Sequence, residues 1–402
     1  MAQEDLNSKL TSERPQFDII PREVRIQGVA GTIISGDLYL KDVNYKPKVG
    51  IIAMHGVNDS KRVYYSLGVR VANIGFLVYC PDLPSHGHPS EGIFRFGVTS
   101  ESMLLVIRHL KKNYGVEKIG VVAWSLGSMV ALFELMHYTV AIEEYLEKLK
   151  ITESKNANID SLKSASTSEM RSLILSEYGK YEDCRIDAIL LLTPVDYTQI
   201  AFSLRKIDKL MGKKFTLFVK ALIFLGYRGS LRGFFEEKPD TTNPPGTRFY
   251  FRKNPHILAV KDSGEGESFY RKLLKKLKLG KLEDPIQARA LKIWKPEELR
   301  YFLLTPSPVA YFTLLKQICP EIVAEVRKVP KVAIYGEDDR LVGMRKRGMD
   351  LIKLFEDFGK VESIVLKEMG HDLDYNGDGH ALYIEPILIK YFYDFFLLVA
   401  QQ

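Results

Sequence analysis

The chain has 402 residues, 46% of them hydrophobic, enough for a large core in one elaborated domain rather than two equal ones. The formal net charge is +7, and no stretch reaches the ~20 uncharged apolar residues of a membrane span; the longest candidate, Phe215 to Tyr227, is too short and contains Lys220. The opening Met1-Ala2-Gln3-Glu4-Asp5 lacks the basic start and apolar core of a secretory signal, and Cys80, Cys184 and Cys319 form no C-x-x-C pair, so reduced packed thiols and a cytoplasmic location are expected.

In chain order, Glu23 to Gln27 and Thr32 to Leu40 alternate imperfectly between glycines and predict two antiparallel strands leading into a sheet. Ile51-Ile52-Ala53-Met54 is an apolar strand that runs into His55-Gly56-Val57. Pro81-Asp82-Leu83-Pro84-Ser85-His86-Gly87-His88-Pro89-Ser90 follows the next strand as a loop. The apolar run Lys118 to Val122 then breaks into a helix at Ala123-Trp124-Ser125-Leu126-Gly127. A sharp strand-to-helix turn of this kind presents a serine Oγ above the sheet and puts a helix N-terminus under any negative charge that develops there. The usual spacing is G-x-S-x-G, and here Ala123 stands in the first glycine's place.

Ala188 to Pro194 reads as the strand after the serine's helix. A βαβ unit needs only about 30 residues, yet the next core strand, Val332 to Tyr335, begins far later. Residues 197–330 carry 26 Lys+Arg against 13 Asp+Glu, a net +13, which leaves −6 on the remainder. A basic segment within an acidic frame is what an inserted unit would look like. Its Pro-Gly breaks at Asn243 to Gly246 and around Gly264 to Gly266 separate stretches of helical pattern. A smaller helical excursion runs from roughly Glu134 to Tyr181. Further on, Val361 to Leu366 predicts a strand and Glu385 to Val399 a closing helix packed on the sheet.

Two further residues sit where strands end. Asp339 closes Val332-Ala333-Ile334-Tyr335-Gly336-Glu337-Asp338-Asp339, and His371 closes Lys367-Glu368-Met369-Gly370-His371 after the strand ending at Leu366. The order Ser, Asp, His, the His-Gly turn at 55–56, the Asp82 to Ser90 loop similar to D-x-x-x-H-G-x-S, and Gly336-x-x-Asp339 together resemble the α/β-hydrolase-fold serine hydrolases. The resemblance covers most of the chain outside its middle. It implies an α/β fold, a doubly wound, mostly parallel sheet with an inserted, mainly helical cap. The core would comprise residues 1–196 and 331–402, with the cap at 197–330. It also implies Ser125 as nucleophile, His371 as base and then acid, Asp339 as the group that orients the imidazole, and the backbone N–H groups of Leu126 and Val57 as the oxyanion hole. No cofactor and no metal are called for.

Rivals for these roles are Asp338 and Asp196 for the acid and His380 for the base; His55 has a structural role in the His-Gly turn. The implied activity is cleavage of carboxylic esters of an acyl or lipid-like substrate. Thioester or peptide (amide) cleavage is the alternative chemistry, and a catalytically idle binding protein the alternative class. Asp372, Asp374, Asn376 and Asp378 reproduce the opening of a calcium loop, but Tyr383 occupies the twelfth position where a bidentate Glu belongs, so a polar link is the favoured reading. The basic amphipathic run Arg271 to Leu279 reads as a solvated helix face, with peripheral contact to lipid surfaces as the sharper option. No nucleic-acid-binding module is visible.

Overall fold

The computed structural model describes residues 19–42, 44–56, 60–86, 92–148, 167–195, 305–337, 339, 352–353, 355–367, 369 and 386–401. Val57, Asp196, Asp338, His371, the 372–378 loop, His380 and the 197–304 part of the expected cap lie outside the described residues.

Eight strands form one sheet: β1 (Arg22–Gln27), β2 (Ile33–Tyr39), β3 (Val49–Met54), β4 (Leu77–Pro81), β5 (Lys118–Trp124), β6 (Ala188–Leu192), β7 (Lys331–Gly336) and β8 (Val361–Leu366). Their order is β1-β2-β4-β3-β5-β6-β7-β8. β2 runs antiparallel to β1 and β4, and every other neighbouring pair is parallel. β3, β4 and β6 are buried along their whole length, as central parallel strands covered on both faces must be.

The period of two along a strand divides the core between the faces. In β6, Ile189 and Leu191 join one apolar cluster, whereas Leu190 and Leu192 join the other. The smaller cluster is covered by α1 (Tyr65–Asn73) and α8 (Pro386–Gln401), through Leu67, Val71, Phe392 and Phe396. The larger is covered by α2 (Phe96–Tyr114), α3 (Leu126–Leu135), α4 (Val140–Lys148), α5 (Thr167–Lys180), α6 (Pro308–Ile318) and α7 (Pro320–Lys328). Burying each Leu, Ile or Phe here contributes about 1.5–3 kcal/mol. Cys80, Cys184 and Cys319 are free and buried, and no helix among the described residues is long and apolar enough to cross a membrane.

Residues 305–330, the described end of the expected insertion, pack into the core layer. Tyr311, Phe312, Leu315, Ile322 and Val326 share the larger cluster with Phe133 and Ile174. Ser307 starts α6 by accepting the Ala310 N–H at 3.2 Å, with proline at the first helical position. α6 and α7 therefore supply the helical crossover into β7, and the excess chain lies before them.

The order of the strands fixes where a site can form. From β3 the chain steps outward to β4, then returns past β3 to reach β5. In open α/β sheets such a reversal leaves a crevice beyond the carboxyl ends of the two central strands. Here those ends are Met54, leading to His55-Gly56, and Trp124, leading to Ser125.

Among the buried polar residues, one carboxyl stands apart. Glu134, on α3, is fully buried, and neither carboxyl oxygen has a hydrogen-bond partner among the described residues. Burial holds its carboxyl well above the usual 4.5. The unfolded chain releases that proton near pH 4.5 while the folded chain retains it, so the carboxyl costs nothing by ionisation below pH 4.5 and costs progressively more as pH rises towards the folded value. Glu134→Met, similar in volume and apolar, is expected to add about 1–3 kcal/mol at neutral pH. The check is Tm measured from pH 4.5 to 8: the variant should melt higher and lose less Tm as pH rises, and a parallel or lower curve would contradict this account.

Candidate active site

Ser125 is held in a backbone conformation that side chains rarely adopt, with φ 49° and ψ −109°. Such a residue costs ~1–3 kcal/mol and persists only where its surroundings over-determine it. Those surroundings are specific. The Ser125 N–H donates to the Leu192 carbonyl at 2.9 Å, which ties the turn to the end of β6. Ser128 donates its N–H to the Ser125 carbonyl at 3.0 Å and its hydroxyl to the Ala123 carbonyl at 2.7 Å. Ser125 also occupies the N-cap position of α3, without a side-chain capping bond, and the ten residues of that helix are all buried.

The small residues around the turn answer to separate constraints. A Cβ on Gly127 would lie 2.5 Å from the Met54 carbonyl oxygen and 2.8 Å from that of His55, backbone atoms that cannot swing away. Glycine is therefore required where α3 crosses the end of β3. Ala123 faces no such limit: it is fully buried in the larger cluster and pairs in register with Met54 and Leu191. The departure from G-x-S-x-G is accommodated because the strand at that position has room for a methyl group. Gly56 lets the chain pass Trp124 and Ser125, whose atoms would lie 3.3 and 3.4 Å from an added Cβ.

Backbone strain gathers at this edge. Five described non-glycine residues have positive φ, and three of them, Ser85, Ser125 and Thr193, follow the carboxyl ends of β4, β5 and β6. Strain of this kind clusters where geometry serves function. Ser125 itself is only 4% exposed, more enclosed than a serine standing free above the sheet. Leu126 opens α3, so its N–H has no intrahelical acceptor.

Asp339 lies on the same edge, just past β7, buried, with its N–H donated to the Gly336 carbonyl at 3.2 Å. β7 is two strands from β5, and strands lie ~4.8 Å apart, so the two strand ends are roughly 10 Å apart. An imidazole can bridge a gap of that order. Met369, two residues before His371 in sequence, is buried in the smaller cluster.

The described histidines are engaged elsewhere. His55 is fully buried; its Nδ1–H donates to the Gly56 carbonyl at 2.7 Å and its Nε2 accepts the Leu83 N–H at 3.0 Å. Burial, then the neighbouring His86, pushes its pKa down to about 3. His137 follows α3 in a turn rather than a helix, stacked on Tyr178, and burial pushes it down to about 4. His109 is half-buried on α2, bonded to Asn113.

Residues 51–145, from β3 through Ser125 into α4, match the family model described as the alpha/beta hydrolase fold. With the strand order, this decides the architecture. The chain has the α/β-hydrolase fold. Over 98 residues it is 32% identical to a probable alcohol acetyltransferase from Cyberlindnera fabianii, a match covering 24% of this chain and 26% of that protein, about a quarter of its length. Among solved structures it is similar to a hypothetical protein from Pseudomonas aeruginosa, with TM-score 0.47, 15% identity and 98% of each chain covered. It is also similar to an esterase from Pyrococcus furiosus, with TM-score 0.45, 13% identity, and 100% of this chain and 94% of that one covered.

Within this α/β-hydrolase fold the structure brings Ser125, Leu126, Gly56 and Asp339 to one edge of the sheet. Sequence reasoning misses Ser128 and Lys61. Ser128 had a visible sign, its place three residues beyond the serine, where a hydroxyl can brace the turn. Lys61 had none, because its partners come from strands distant in sequence.

Proposed function

We propose that the chain is a serine hydrolase that cleaves carboxylic esters through an acyl-enzyme. The observation that carries this reading is the strained Ser125 turn, set at the reversal point of the sheet with a helix N-terminus behind it. In the reaction, Ser125 Oγ attacks the ester carbonyl carbon as His371 takes the hydroxyl proton. The tetrahedral oxyanion is held by the N–H groups of Leu126 and Val57, donors worth about 3–4 kcal/mol each where they have been removed. Collapse expels the alcohol, protonated by His371, and water repeats the sequence to free the acid. Asp339 orients His371 and stabilises its charged form.

The excess chain before α6 is proposed as a cap over Ser125, which makes residues 197–304 the source of substrate choice. Transfer of the acyl group to an alcohol in place of water is the second reading, favoured by the 98-residue likeness to a probable alcohol acetyltransferase. One experiment separates them. Purified protein is given p-nitrophenyl esters of graded acyl length, with and without ethanol, and both acid and ethyl ester are quantified. Ser125-dependent release of acid supports hydrolysis, and ethyl ester as the main product supports transfer. No Ser125-dependent turnover of any ester would sink both.

A further inference from the structure

Between the end of β3 and the 3₁₀ turn Lys61–Tyr64 the chain makes the connection that would carry one oxyanion donor. Both flanks of this connection are tied to two consecutive residues beyond β4. On the incoming flank, His55 bridges the Gly56 carbonyl and the Leu83 N–H, at 2.7 and 3.0 Å, which fixes its tautomer as Nδ1–H. On the outgoing flank, the Lys61 backbone N–H donates to Asp82 Oδ1 at 2.7 Å. The Asp82 N–H in turn donates to the Ser35 carbonyl at 2.8 Å.

The lysine side chain closes the ring. It is 2% exposed, with Nζ 3.0 Å from Asp37 Oδ1 and 3.5 Å from Ser35 Oγ. A buried ammonium loses several kcal/mol of hydration, and apolar residues of the same size would often be as stabilising. What the buried pair adds is position. Lys61 cannot slide along its groove without leaving Asp37 uncompensated. Tyr64 reinforces the corner by donating its hydroxyl to the Met54 carbonyl at 3.0 Å, and Gly127 packs against that same carbonyl. Hence the connection and the serine's helix share one reference point.

We propose that Asp82, through the Lys61 main chain, and His55, through Gly56 and Leu83, are positioning residues that set the oxyanion hole against Ser125. The inference rests on the proposed acyl-transfer chemistry at Ser125. Its physical basis is tolerance: an oxyanion donor acts only when it lies 2.7–3.1 Å from the developing charge, and small displacements there are costly in rate. Both ties run from a side chain to main chain, so they act on the path of the connection itself.

The test uses the full chain, a p-nitrophenyl ester and a trifluoromethyl ketone, which binds serine hydrolases as a tetrahedral adduct and so reports on the hole. Asp82→Ala is expected to lower kcat ~100-fold and to weaken trifluoromethyl ketone binding by a similar factor, with KM nearly unchanged. Asp82→Asn retains an oxygen that can accept the Lys61 N–H and should recover most of both. A folded Asp82→Ala protein with wild-type kcat and ketone affinity overturns the proposal, as does one that loses Tm alone. If Asp82→Ala does not fold, His55→Gln must show the same split; wild-type values there, or failure of both chains to fold, also overturn it. The wild-type control keeps the two ideas apart. Turnover that survives Ser125→Ala removes the functional reading, whereas Ser125-dependent turnover indifferent to Asp82 removes only the positioning role.

Discussion

Ser125→Ala is expected to lower ester turnover ~10⁶-fold, the scale seen when a nucleophile that works as part of a unit is removed. The neighbouring hydroxyl cannot substitute, because Ser128 Oγ is held by the Ala123 carbonyl at 2.7 Å. The variant should still fold, since the turn is fixed by main-chain bonds to Leu192 and from Ser128. Glycine makes the sharper comparison. With φ at 49° the position favours a residue without Cβ, so Ser125→Gly should be as inactive as alanine yet melt higher than wild type. Tm and single-turnover rates on a p-nitrophenyl ester check both statements. A glycine variant that melts lower would mean that the strained turn is not where the stability is lost.

Asp339→Asn is expected to cost ~10⁴-fold in kcat, because the amide preserves geometry but favours the wrong imidazole tautomer. Its place supports the assignment: Asp339 is buried at the carboxyl end of β7, two strands from the serine. Asp338→Asn and Asp196→Asn should cost far less. Rates for the three variants, with KM and Tm measured alongside, decide the matter. A large loss in Asp196→Asn with Asp339→Asn near wild type would move the acid to the end of β6.

The strands around the site were legible because central parallel strands leave a plain signature, short apolar runs bounded by glycine, proline or aspartate. Val121-Val122 and Leu190-Leu191-Leu192 are readable without any neighbour. The turn at Ser125 was legible for a different reason: Gly127 is demanded by a backbone contact with β3 that no larger residue could make. The spacing of small residues therefore records a three-dimensional crossing.

Other features had no local sign. Nothing around Pro308 says that α6 and α7 pack beside Phe133 rather than within an insertion, because amphipathic helices read alike on a core and on a cap. The burial of Lys61 depends on Asp37 and Asp82, which are adjacent only once β2 and β4 have paired. Glu134 reads as an ordinary helix carboxylate, and its enclosure comes from the packing of α3 on every side.

The central claim is that Ser125 is the covalent nucleophile, and the most direct measurement is labelling of the native chain with a fluorophosphonate probe followed by peptide mapping. The account predicts a single adduct on Ser125, abolished in Ser125→Ala and slowed in Asp339→Asn. An adduct on another residue, or labelling of undiminished rate in Ser125→Ala, would contradict it.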